Sequence, residues 1–327
     1  MVTRRSADFD FMAGIRAAYE RIKNDVVRTP VEFSGPLSDM TGALVHLKWE
    51  CDQITGSFKL RGALNKLRSM TREERERGVV SASTGNHGLA ISHAARLEGI
   101  DLKLFLPTTV SDAKRKKIEA LGVRPEFFGS ACEQTEGHAR EQAGRTGRIF
   151  VSPYNDRDII CGAGTVGLEI AEDVPGVDDI IVPVGGGGLI VGIAAFLRGA
   201  RPAARAIGVE PGTSAFMAAS VEAGRLVEIE EKATIADAVA GGIEPGSITF
   251  PLYRGLVDRT LVVQEGTIAT AMAMIFERHH KIIEGAGALP VAGLLSFPDA
   301  FRGRAVVLVV SGRNIAPERF RQATGLS

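Results

Sequence analysis

The chain has 327 residues, enough for two packed cores rather than one. Apolar residues make up 45% and charged residues 24%, and 39 basic side chains balance 39 acidic ones. The neutral balance lacks the basic footprint of a nucleic-acid binder, and no run of about 18 apolar residues is present to form a membrane-spanning helix.

The N-terminal MVTRRSADFDF carries two arginines with no apolar segment behind them, so it does not read as a secretory signal. Residues 10–24 predict a helix with Met12, Ile15, Ala18, Tyr19 and Ile22 on one face. ALVHLKWE (43–50) predicts a strand, and SFKLRGALNKLRSM (57–70) a helix that Ser57 would cap and that Leu60, Leu64 and Leu67 would stripe. Then come an apolar run GVVSAS (78–83), a helix over 88–98, a strand LKLFLP (102–107), a helix 112–122, a helix 131–145 and RIFVSP (148–153). DDIIVPVGGGG (178–188) is the most apolar strand and leads into a helix-like LIVGIAAFLRGA; ARAIGVEP (204–211) and RAVVLVVSGRN (304–314) are further buried strands. Strands apolar on both faces, alternating with helices, predict an α/β fold of open, mostly parallel sheets covered on each side. The cysteines Cys51, Cys132 and Cys161 are scattered and form no C-x-x-C pair, against a disulfide framework or zinc ribbon and for a cytoplasmic setting. His279-His280 has no metal-ligand spacing and reads as a solvated helix face.

Chemistry concentrates at a few junctions. Gly185, Gly186, Gly187 and Gly188 stand between a buried strand and a helix, where backbone N–H groups can approach a phosphate and the helix offers its positive end. The alternative is a tight turn, though each glycine there sacrifices about 0.5–1 kcal/mol of chain entropy. The spacing is neither a Walker loop nor Gly-x-Gly-x-x-Gly, which excludes a nicotinamide-dependent oxidoreductase. Lys59 would lie in the first turn of its helix. By itself that is an ordinary solvated lysine, but a helix N-terminus disfavours a cation and so lowers the pKa of an amine. Ser83, Thr84, Gly85, Asn86, His87 and Gly88 gather hydroxyls, an amide and backbone N–H groups where a helix begins, which suits a carboxylate as well as an ordinary cap. Ser311 follows an apolar strand, a common place for a ligand contact in open α/β sheets.

Taken in order, KWECDQITGSFKLRGA around Lys59, STGNHG at 83–88, PVGGGGL at 183–189 and SGRN at 311–314 resemble the threonine/serine dehydratase family of pyridoxal phosphate (PLP) enzymes, of fold type II. IEGAGAL (283–289) and TIADAVAGGI (234–243) fit as well, and the resemblance runs from about residue 10 to 315. It implies that Lys59 is the Schiff-base lysine and the base for the α-proton, and that Phe58 packs beside the ring. Ser83, Thr84, Gly85, Asn86 and His87 would hold the substrate carboxylate, with Asn86 also near the pyridine hydroxyl. Gly185 to Gly188 would cradle the phosphate, and Ser311 would meet the pyridine nitrogen. A hydroxyl there leaves the ring a weaker electron sink than an Asp would, which suits prompt β-elimination. The implied reaction removes water from a small β-hydroxy amino acid of the L-threonine or L-serine type and yields a 2-oxo acid and ammonia, an amino-acid-degrading ammonia-lyase. The implied architecture is a large domain of residues 1–52 and 152–327, a small domain of 53–151 carrying the carboxylate loop, PLP in the cleft between them, and a homodimer or other homo-oligomer.

Thr84 stands where related serine racemases carry a catalytic serine, and its branched side chain is stiffer. Glu210 matches one ligand of a cation site in some relatives, but the downstream ligand position is Phe216, which cannot coordinate a hard cation, so no metal is expected. Glu210 would then only cap a turn. Arg313 replaces the usual glycine of SGGN, either facing solvent or meeting a polar substrate tail; STGNHG, GGI and SGRN together resemble hydroxyectoine-utilisation dehydratases. The 13 residues after Asn314 leave no room for a regulatory module, so isoleucine feedback is not expected. The alternatives are a dehydratase of compatible-solute breakdown, a serine racemase-like isomerase, and a non-enzymatic anion- or nucleotide-binding protein using only the glycine loop.

Overall fold

The computed structural model describes residues 9–326. Residues 1–8, on which the secretory-signal reading rests in part, lie outside the described residues, as does the side chain of Cys132. Cys51 and Cys161 are buried free thiols.

The strands in chain order are β1 (Val31–Phe33), β2 (Leu44–Lys48), β3 (Val79–Ala82), β4 (Leu102–Leu106), β5 (Glu126–Phe127), β6 (Ile149–Phe150), β7 (Asp179–Pro183), β8 (Arg205–Pro211), β9 (Arg259–Val263) and β10 (Ala305–Val309). They build a six-stranded sheet in the order β1-β2-β10-β7-β8-β9 and a four-stranded sheet in the order β5-β4-β3-β6. Only the edge pair β1–β2 is antiparallel; every other pairing is parallel. This is the mostly parallel α/β architecture that the apolar strands predict.

Period-two geometry explains why those strands read as continuous apolar runs. Ile180, Val182, Val307 and Val309 face one core, against the helices Phe11–Ile22, Arg157–Asp173 and Gly188–Ala200. Their neighbours Ile181, Val306 and Leu308 face the other, against Glu265–His279 and Gly285–Ser296. A third core packs Leu60, Leu64 and Leu67 of helix Lys59–Ser69 with Ile91, Ala94, Leu104 and Leu106 under the smaller sheet. Fully burying each such Val, Ile or Leu side chain contributes about 1.5–3 kcal/mol.

Helix Lys59–Ser69 is held in close registry. It crosses helix Arg157–Asp173 at glycines: a Cβ on Gly162 would lie 2.4 Å from the Arg61 carbonyl, and one on Gly62 2.9 Å from the Ile159 carbonyl. Arg61, wholly buried, donates to Glu50 (2.8 Å) and Glu169 (2.7 Å), and Lys48 donates to Glu169 (2.6 Å). Two cations and two anions thus balance without water. Truncating one partner would leave an uncompensated buried charge, so the cluster fixes the rotation of the helix that starts at Lys59.

Two local readings are corrected. Ser57 does not cap this helix: its backbone is bridged antiparallel to Gly312, Phe58 takes the cap position, and the Ser57 hydroxyl is buried without a partner among the described residues. His279 is not solvated: its side chain is 5% exposed, its Nε2 meets Ser34 Oγ at 2.9 Å and its Nδ1 meets Glu32 at 3.0 Å. His280 ends the helix in the left-handed conformation at φ 55°. Both reversals are tertiary, since the partners lie more than 200 residues away along the chain.

Candidate active site

Strands β3, β7 and β10 end towards one cleft, the position at which open parallel sheets present ligand sites. Phe58, Lys59, Asn86, His87, Gly185, Gly186, Gly187, Gly188 and Ser311 all line it, joined by Pro153, Tyr154 and Glu284. Ser83, Thr84 and Gly85 belong to the same loop but do not form the cleft wall.

Lys59 begins its helix and is anchored to the loop after β10. Besides the Ser57–Gly312 bridge, Phe58 N–H donates to the Ser311 carbonyl at 3.1 Å and Arg313 N–H to the Gly56 carbonyl at 2.9 Å. Gly56 is in the left-handed region (φ 75°), and a Cβ there would stand 2.9 Å from the Asn314 side chain. The Lys59 amine donates to the Pro153 carbonyl at 2.8 Å and sits 5.2 Å from the Phe58 ring centre. Burial pulls its pKa down to about 8, with the Glu284 charge opposing. A useful fraction is therefore unprotonated and nucleophilic near neutrality.

The glycine run follows β7, and Gly187 caps helix Gly188–Ala200 from the left-handed region at φ 84°. The first N–H groups of that helix have no intrahelical acceptor, and its positive end faces the cleft, a preformed anion site. The absence of side chains is required here. A Cβ on Gly186 would meet the Tyr154 ring at 2.4 Å, one on Gly185 the Val239 carbonyl at 3.0 Å, and one on Gly188 the Tyr154 backbone and side chain at 3.1 Å. Thr249 Oγ1 fixes the loop by donating to the Gly186 carbonyl at 2.7 Å.

In the loop after β3, Ser83 Oγ accepts from Gly85 N–H at 3.3 Å, and Gly88 makes room for the Ser83 carbonyl, which a Cβ would meet at 2.2 Å. Helix Asn86–Glu98 starts there without a side-chain cap, which leaves its first N–H groups available. Asn86 is clamped on both sides: its Nδ2 donates to Glu284 Oε1 (2.6 Å) and its Oδ1 accepts from Asn314 Nδ2 (2.7 Å), which also donates to the Thr55 carbonyl (2.8 Å). Glu284 is buried, which pushes its carboxyl up to about 7 against the Asn86 hydrogen bond. Burial, followed by the Lys59 charge, pushes the His87 imidazole down to about 3, so this ring is neutral. Ser311 is 3% exposed, and its hydroxyl has no hydrogen-bond partner among the described residues.

Glu284, Asn314 and Tyr154 are members of the site that the sequence reading did not assign. Glu284 and Asn314 had a signal, since each lies in a quoted motif, IEGAGAL (283–289) and SGRN (311–314), without a role being given to it; Tyr154 had none. Arg313 is not part of the cleft lining; its side chain is 48% exposed and paired with Asp52 at 3.2 Å. Glu210 accepts from Met217 N–H (2.9 Å) and Ala218 N–H (2.7 Å), so it caps the helix that begins at Phe216; burial pushes its carboxyl up to about 7.

A buried amine of lowered pKa, a glycine loop before a helix start with no room for side chains, and a hydroxyl without a partner among the described residues form a donor set that fits PLP. The family model for pyridoxal-phosphate-dependent enzymes matches residues 22–312, and the chain belongs to that family, as an enzyme of fold type II and a lyase. Among its relatives, the L-threonine ammonia-lyase of Thermotoga maritima is 40% identical over 92% of this chain and 75% of its own length. The catabolic L-threonine dehydratase TdcB of Escherichia coli K12 is 37% identical over 94% of each. Among solved structures, processed threonine deaminase isoform 2 of Solanum lycopersicum superposes with a TM-score of 0.91 at 30% identity, covering 99% of this chain and 94% of that one. Maize serine racemase gives 0.90 at 34% identity, covering 96% of each.

Proposed function

We propose that this protein is an ammonia-lyase that removes water from L-threonine or L-serine and releases the 2-oxo acid and ammonia. The observation that carries the reading is the convergence of Lys59, the Gly185–Gly188 loop, Asn86 and Ser311 on one cleft. Bound PLP supplies an electrophilic carbonyl carbon and an electron-withdrawing ring. The chain's own residues do the rest. Lys59, with its pKa near 8, offers an amine for attachment and then a base for the α-proton. The N–H groups of Gly185 to Gly188 and the helix behind them would hold the phosphate. Ser311 would meet the pyridine nitrogen, Phe58 would pack beside the ring, and residues 83–87 would take the substrate carboxylate. Asn86, with its amide orientation set by Glu284 and Asn314, would keep one N–H for the cofactor.

The cleft lies between a large domain (1–52 and 152–327) and a small one (53–151), a division supported by the origin of each sheet's strands. No helix among the described residues is long and apolar enough to cross a membrane. We propose a cytoplasmic setting, from the scattered cysteines, and a homodimer or other homo-oligomer, from the family resemblance.

The test is turnover by purified holoenzyme. L-threonine and L-serine should yield 2-oxo acid and equimolar ammonia, and chiral analysis should find no build-up of D-serine. Lys59→Ala should retain the fold, lose covalent capture of the cofactor by borohydride, and lose turnover; surviving turnover would refute the Lys59 assignment.

A further inference from the structure

His87 has a second identity beyond its place in the carboxylate loop. Its ring is 3% exposed, lies against the cleft and is neutral. Nε2 stands 3.0 Å from Ser81 Oγ, and the same hydroxyl stands 2.9 Å from the Val151 carbonyl. A carbonyl only accepts, so the single proton of Ser81 goes to Val151 and the Ser81 oxygen must accept from His87. The weaker 3.4 Å approach of Nε2 to the Val151 carbonyl demands the same thing, a proton on Nε2. A neutral imidazole carries one proton, so Nδ1 is left as a bare lone pair. Among the described residues Nδ1 has no hydrogen-bond partner, yet it is not one of the sealed, unpartnered atoms, as His46 Nδ1 is. His87 itself lines the cleft.

We propose that the His87 ring, locked as the Nε2–H tautomer, accepts at Nδ1 a hydrogen bond from the β-hydroxyl of the substrate, which makes it a specificity residue for hydroxylated amino acids. The proposal rests on the lyase reading and narrows it. A small β-hydroxy amino acid brings three polar groups. Its carboxylate only accepts, so a bare nitrogen cannot hold it. Its α-amino group takes the place of the Lys59 amine at the cofactor. The hydroxyl is the one remaining donor. The carboxylate can still use the backbone N–H of His87 at the helix start, so the residue serves both ends of the substrate with different atoms.

Two measurements test this. Nitrogen-15 NMR of histidine-labelled holoenzyme, assigned with His87→Gln, should show the His87 ring protonated at Nε2 only. A proton on Nδ1 near pH 7 would overturn the proposal whatever the variant does. Second, Gln keeps a donor near the Nε2 position for Ser81 and removes the Nδ1 acceptor. Rapid-mixing titration followed by cofactor absorbance should find L-serine bound about three- to ten-fold more weakly by H87Q, the loss of one neutral hydrogen bond. L-alanine, which lacks the hydroxyl, should bind H87Q and the unsubstituted enzyme alike. Equal weakening of both ligands would give the ring to the carboxylate, and unchanged L-serine affinity would remove it from the site; either result overturns the proposal. A holoenzyme that passes both measurements but releases no ammonia would refute the lyase reading while leaving the hydroxyl contact standing.

Discussion

Replacing Lys59 by Met should make the cofactor-free protein more stable. The amine is surrounded by protein, and burial takes its pKa from the ordinary 10.5 to about 8. At about 1.4 kcal/mol per pKa unit this difference is worth roughly 3 kcal/mol against the fold whenever the lysine is charged. Part of the residue still opens to the cleft, where water screens the charge, and its loss leaves the Pro153 carbonyl without a donor. A net gain of about 2 kcal/mol at pH 7 remains for Lys59→Met. The sign of the pH dependence follows. Between pH 8 and 10.5 the unfolded lysine holds its proton while the folded one releases it, so the unsubstituted protein gains stability with rising pH. The advantage of the variant is therefore full below about pH 8 and gone above about pH 10.5. Urea unfolding of both cofactor-free proteins at pH 7 and pH 10.5 measures it. A variant no more stable at pH 7, or an advantage that persists at pH 10.5, would refute the claim that burial depresses this amine.

Other outcomes follow from neighbouring geometry. Gly186→Ala places a methyl 2.4 Å from the Tyr154 ring, so it should destabilise by about 1–3 kcal/mol and weaken PLP binding in a fluorescence titration; most of the stability loss should vanish in a Tyr154→Ala background. Arg61→Met leaves Glu50 and Glu169 with Lys48 as the one remaining cation of the cluster, which should lower stability by about 3–5 kcal/mol in denaturant unfolding; a loss below about 1 kcal/mol would show that water or neighbours take over the charge. Gly312→Ala drives a Cβ to 2.3 Å from Glu284 Oε1 and should release Asn86, read as a drop in PLP affinity with little change in secondary structure by circular dichroism.

The sequence by itself determined the elements whose physics is local. A buried parallel strand announces itself as an unbroken apolar run because both faces are covered, as Ile180, Ile181 and Val182 illustrate. The proposed phosphate nest needs consecutive backbone N–H groups, so Gly185 to Gly188 are contiguous and readable, and Lys59, residues 83–88 and Ser311 each sit in a short motif at an element boundary. The tertiary structure alone decided what meets across the chain. Asn86 and Glu284 are 198 residues apart, Asn86 and Asn314 are 228 apart, and Asn314 and Thr55 are 259 apart. No periodicity or propensity reports such pairs, because hydrogen-bond complementarity between distant groups leaves no trace in either partner's neighbours. The same limit turned Ser57 from a helix cap into a bridge residue and His279 from a solvated side chain into a buried one. It also governs the proton on His87: the motif names the residue, but only the positions of Ser81 and the Val151 carbonyl bear on which nitrogen carries it.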